Sequence, residues 1–135
     1  MANEAVIVEL LGDGGNPVEF TVADGATIEK GTILKLNDPR TAIASSGLAD
    51  QPAGIAAAEK VASDGSTTLA AYTKGIFDLR VDGTTVLAGN PVMISGANFV
   101  ALASAAAISS GAVLGYALES AASGTAETIQ VMVDL

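Results

Sequence analysis

The chain contains no cysteine, no histidine and no tryptophan. Without cysteine there is no disulfide framework, no thiolate nucleophile and no zinc–cysteine site. Without histidine, the commonest acid–base group near neutral pH and the commonest transition-metal ligand are both missing. Positive charge is scarce as well: six Lys and Arg stand against fifteen Asp and Glu, a formal net charge of −9. That balance argues against nucleic acid, whose phosphates need clustered positive charge, and against anionic membranes. No apolar run approaches the ~20 residues that cross a bilayer. Met1-Ala2-Asn3-Glu4 also lacks the basic start of a signal peptide.

What is present is small and neutral. Of 135 residues half are hydrophobic, yet 4% are aromatic and 16% charged, where roughly 25% charged is usual. Ala and Val therefore supply most of the apolar mass. The length suits one domain. The expectation is an acidic, soluble, single-domain protein that is not an enzyme.

Gly, Asp-Gly and Asn-Pro punctuate the chain about every ten residues, and the runs between are rich in Val, Ile and Thr, which predicts an all-β fold. Ala5 to Leu11 reads as a strand with Val6, Val8 and Leu10 facing one way. Gly12 to Pro17 reads as a loop. Val18, Phe20 and Val22 alternate with polar residues, as do Phe77, Leu79 and Val81, and then Ile129, Val131, Val133 and Leu135. Such alternation places one face of a sheet in a core. Ala53 to Ala62 is alanine-rich but carries Gly54 and reads as a strand, whereas Ala101 to Ile108 allows one short helix.

An internal repeat orders most of the chain. Asp24-Gly25-Ala26-Thr27-Ile28-Glu29-Lys30-Gly31 matches Asp82-Gly83-Thr84-Thr85-Val86-Leu87-Ala88-Gly89 without a gap, and each leads into an apolar strand. About thirty residues later Gly54-Ile55-Ala56 is matched by Gly115-Tyr116-Ala117, each followed by a Gly-marked turn and a strand. A related phrase occurs a third time, from Ile108 to Leu114. Glycines at such places serve turns with positive φ or close backbone approach. Two similar halves imply a pseudo-twofold β-barrel.

No catalytic pattern emerges. Asp13-Gly14-Gly15-Asn16 lacks the Lys and following helix of a phosphate loop. Asp78, Arg80 and Asp82 share a strand face and read as a solvated charge cluster. No calcium-loop or Ser-Lys spacing is present. No cofactor, metal or small-molecule substrate is expected.

One stretch stands apart. From Gly83 to Leu118, 36 residues carry no charged side chain. Gly89, Asn90, Pro91, Ser95, Gly96 and Asn98 exclude a membrane segment. In a small barrel one face of each strand points outwards, so this stretch gives a neutral outer surface suited to a subunit interface. Met93, Phe99, Val100 and Leu102 are its candidate residues.

These features, with the ending Leu114-Gly115-Tyr116-Ala117-Leu118-Glu119 and Ile129-Gln130-Val131-Met132-Val133, resemble the head decoration, or capsid cement, proteins of tailed bacteriophages from about Val18 to Leu135. The resemblance implies a compact β-barrel of β-tulip or β-clip type in residues 18–135, preceded by an N-terminal arm in residues 1–17. It further implies a homotrimer on the outer surface of the mature virion, made in the host cytoplasm. There it would bind the major capsid protein at threefold and quasi-threefold positions and hold the shell against packaged DNA. The arm would touch the shell, sometimes by adding a strand, which nominates Asn3, Glu4, Val6 and Val8. Two rival classes are a host-surface or carbohydrate-binding β-module and a small carboxylate-based hydrolase or isomerase. The first needs exposed aromatics, which are sparse here; the second needs clustered acids with raised pKa values.

Overall fold

Short β-branched runs broken by glycine turns become strands along almost the whole chain. The computed structural model describes residues 3–10, 17–124 and 126–135. Its strands are β1 (Val6–Leu10), β2 (Val18–Thr21), β3 (Ile33–Asp38), β4 (Thr41–Ala44), β5 (Pro52–Ala56), β6 (Thr68–Tyr72), β7 (Lys74–Val81), β8 (Pro91–Ile94), β9 (Phe99–Leu102), β10 (Gly115–Ala117) and β11 (Thr128–Asp134). Among the described residues there is one short helix, α1 (Ala105–Ser110), between β9 and β10. Ser104 caps its start by accepting the Ala107 N–H at 3.1 Å, and Gly111 ends it at φ 79°. The third glycine phrase of the sequence is thus a helix stop rather than another strand lead-in. The loop expected at Gly12 to Pro17 falls almost wholly outside the described residues.

Two barrels form where one was expected. Strands β2-β4-β3-β5-β6 close one ring, barrel I. Strands β7-β11-β10-β8-β9 close a second, barrel II, through a parallel β7–β9 pairing. The correction has a simple cause: every strand of a repeat finds its partners within that repeat. The halves are therefore tandem units instead of two parts of one ring.

The repeat is complete at the level of pairing. In order, β2 to β6 correspond to β7 to β11, with the same neighbours and the same directions, including one parallel pair each, β2–β4 and β7–β9. The isolated bridges Ile28–Lys60 and Val86–Ala121 also correspond. Register then equates individual residues: Ile33 with Pro91, Leu36 with Ile94, Ile55 with Tyr116, and Tyr72 with Met132. The paired glycines explain themselves physically. A Cβ on Gly54 would lie 2.5 Å from the Tyr72 carbonyl oxygen, and one on Gly115 would lie 2.0 Å from that of Met132. Both copies bring two backbones too close for any side chain.

Barrel I packs its outer side against one end of barrel II. Ile33 and Ile55, fully buried, join the cluster that holds Phe77, Leu79, Ile94 and Val133. Tyr72 and Phe77 meet at a ring distance of 6.0 Å. The β8–β9 turn clamps this joint. Buried Asn98, at φ 60°, accepts the Ile33 N–H on Oδ1 at 2.9 Å and donates its own N–H to Ser45 Oγ at 3.2 Å. The Ser45 hydroxyl in turn donates to the Gly96 carbonyl at 3.0 Å.

The N-terminal segment straps the two units together. Ala5 donates its N–H to the Gly31 carbonyl of barrel I at 2.6 Å, and β1 then pairs antiparallel with β7 of barrel II. A bulge at Val8 shifts the register between Ile7 and Glu9. This corrects the expected alternation: Ala5, Ile7 and Leu10 pack on the core, while Val6 and Val8 point outwards. The extra residue in the bulge reverses the faces of Glu9 and Leu10 beyond it.

Candidate functional site

The outward positions of β1 form the first surface of interest. β1 is the terminal strand of its sheet and has β7 as its single strand neighbour among the described residues, so its other edge is open. Val6 and Val8 are 59% and 43% exposed. Beside them Asn3, Glu4, Val6, Asp78, Arg80 and Thr128 line a shallow depression of about 110 Å³. Of the arm residues nominated from sequence, Asn3, Glu4 and Val6 thus meet around one hollow, with Val8 beyond it. Asp78 and Arg80 share the outer face of β7, but Asp82 leaves it: its carboxylate takes the Thr84 N–H and a short hydrogen bond from the Ser95 hydroxyl. The three-member charge cluster does not form.

The uncharged stretch builds β8, β9, α1 and β10, three adjacent strands of barrel II and the helix that covers them. Its candidate residues separate. Val100 is fully buried in the main core, and Met93 is buried beneath α1 with Ala101, Ala103 and Ala107. Phe99 is half-buried, and Leu102 is 43% exposed. Only the latter two can present side chains to a neighbour. Sequence reasoning missed Tyr116, Met132 and Ile76, which stand in one row across the outer face of β10, β11 and β7. The signal was available, because these residues occupy the outward positions of alternating strands.

The acids with displaced pKa values serve the fold. The Lys60 ammonium, hydrogen-bonded to Asp64 Oδ1 at 2.8 Å, holds that carboxyl below its ordinary 3.8. Burial pushes Asp50 and Asp82 up. For Asp50 the N–H groups of Ser46 and Gly47 and the Lys35 charge outweigh it; for Asp82 the Ser95 hydroxyl and Thr84 do. All three come out lowered, the opposite of what a general acid requires. Among the described residues no three His, Cys, Asp or Glu side chains gather as a metal site.

The family model of the phage cement proteins matches residues 12–133. The chain belongs to the phage cement protein family. It is therefore a structural, capsid-stabilising component of a phage virion, without enzymatic activity. A cement protein binds the phage capsid, and the all-β fold with its two closed rings is the scaffold on which this one does so. No curated protein sequence matches the chain. The family match begins after β1, so the strap and the open edge belong to a segment beyond it.

Proposed function

We propose that this cement protein sits on the outer face of the mature shell as a homotrimer at threefold and quasi-threefold positions, and grips the major capsid protein through β1. The observation that carries the reading is the open edge of β1, with Val6 and Val8 turned outwards beside the Asn3–Glu4 hollow. An extended coat-protein segment can add to that edge by main-chain hydrogen bonds, with the two valines as apolar anchors. Each contact is modest, but a trimer engages the lattice at three points, so release is slow. The neutral outer surface that the uncharged stretch gives barrel II supports the contact between subunits.

The test uses purified empty capsids and point variants, because deleting the arm would also strip Ala5 and Ile7 from the core. The double variant Val6→Asp/Val8→Asp should melt like the wild type yet lose capsid occupancy at least ~10-fold, the loss of roughly 1.5–3 kcal/mol of apolar burial at each anchor. Undiminished occupancy would remove β1 from the shell contact.

A further inference from the structure

The repeat makes the joint between the barrels informative about a surface that the chain leaves uncovered. Within the chain, the outer row Ile33–Ile55–Tyr72 of barrel I receives the end of barrel II, and Phe77 and Ile94 at that end are fully buried. Register gives barrel II the corresponding row Pro91–Tyr116–Met132, continued by Ile76 on β7. The described chain leaves it partly open: Tyr116 is 50% exposed where its counterpart Ile55 is fully buried, and Pro91, Met132 and Ile76 are partly buried. The matching end of barrel I is uncovered too. There Leu36, the counterpart of Ile94, is 43% exposed, and Val18, the counterpart of Phe77, is half-buried. One chain thus carries one used seat with its plug, and one free seat with a free plug.

We propose that the occupant of the free seat is a second copy of this chain, docked head to tail, with the Leu36 end of its barrel I on the Tyr116 row of barrel II. The chemistry at the matching positions fits. In the internal joint Asn98 supplies an acceptor because Ile33 has an N–H to satisfy. In the free seat the counterpart of Ile33 is Pro91, which has no N–H, and the counterpart of Asn98 is Arg40, which has no acceptor. Arg40 keeps the same backbone, at φ 51° against 60° for Asn98. Donor and acceptor have gone together, so the loss of this one hydrogen bond leaves neither partner orphaned on docking, while the exposed Arg40 guanidinium keeps its bond to the Glu19 carbonyl and stays at the rim. Ser45, the hydroxyl of the internal clamp, corresponds to Ala103, so the contact between copies lacks the clamp's hydrogen bonds and is weaker than the internal one. A contact of this kind is heterologous: it closes into a ring or runs on as a filament. The inference rests on the proposed trimer and gives its ring six barrels in pseudo-repeat.

A mixing experiment decides it. Tyr116→Asp spoils the seat and Leu36→Asp spoils the plug; Tyr116→Ser and Leu36→Ser replace them if either melts early. By light scattering or sedimentation the wild type should be trimeric. Each variant alone should associate at least ~10-fold more weakly, as loss of a central contact residue does. Mixed in equal amounts, the two variants should form a one-to-one dimer and nothing larger, since one intact seat meets one intact plug. A mixture that stays monomeric overturns the head-to-tail contact, as do variants that still form trimers. So does a wild type that is still monomeric at ~1 mM, where even a millimolar contact is largely formed. Capsid occupancy, scored separately on the same samples, reports on the shell contact: a monomer that still decorates capsids sinks the ring and spares the β1 grip.

Discussion

The two barrels share one strand order but have different interiors. Barrel I is filled by Phe20, Val22, Ile28, Leu34 and Leu69 with four alanines. Barrel II is filled by larger residues and borrows Ile33 and Ile55 from its neighbour. They differ most where Ile28–Lys60 and Val86–Ala121 close the rings. In barrel I Lys60 is 2% exposed, and its ammonium donates to the carbonyls of Asp24 and Val61 and to Asp64 at 2.7–2.8 Å. In barrel II an alanine does the same work by packing. Interior chemistry is therefore interchangeable in this fold. What both copies keep is the turn geometry and the bare glycine at the close approach of β5 to β6 and of β10 to β11.

The difference can be broken in order of size. Phe77→Ala should cost about 4–5 kcal/mol in urea unfolding, because its ring fills a core that both barrels share. Phe20→Ala, in the smaller core of barrel I, should cost nearer ~3 kcal/mol. Equal losses would mean that the shared core gives barrel II no advantage. Next comes the clamp. Asn98→Ala leaves the Ile33 N–H without its acceptor and should cost about 2 kcal/mol. Its counterpart Arg40→Ala, at an exposed end, should stay within ~0.5 kcal/mol. A reversed order would dissolve the equivalence of the two turns.

The smallest effect is that of acid. Asp64, Asp50 and Asp82 have folded pKa values below 3.8. Their contribution is complete above that value and is lost as pH falls through the folded pKa values. Stability should be flat from neutral pH to about 4 and decline below it. Asp64 and Asp50 both belong to barrel I, so amide exchange at about pH 3 should loosen barrel I first. Uniform loosening would argue against it.

Much of this was legible in the residues. Alternation at Phe77, Leu79 and Val81 and at Ile129, Val131 and Val133 located the two central strands of barrel II, and the D-G-x-T phrases marked equivalent turns. The number of barrels was not legible, since alternation shows which face is buried but not which strand lies alongside. That Val6 and Val8 share a face could be read, whereas the bulge that turns Leu10 to the opposite side could not, because one inserted residue leaves no mark in composition. Met93 and Val100 look like surface residues in an uncharged stretch until α1 and the barrel interior are found to cover them. Nothing in the sequence marks Lys60 as buried, because a lone lysine ordinarily lies in solvent.

The strap formed by β1 also sets an order of assembly during synthesis. Barrel I draws its strands from residues 18–72 and can close before barrel II has left the ribosome. β1 cannot pair so early, because Val6 and Ile7 are matched to Asp78 and Phe77, some seventy residues downstream. Through that interval the first strand waits with both edges unpaired, beside a finished barrel, and a contact so distant along the chain forms slowly. Its docking onto β7 turns the valines outwards, so the edge proposed to grip the capsid takes its ordered form only on a chain whose second barrel has begun to fold.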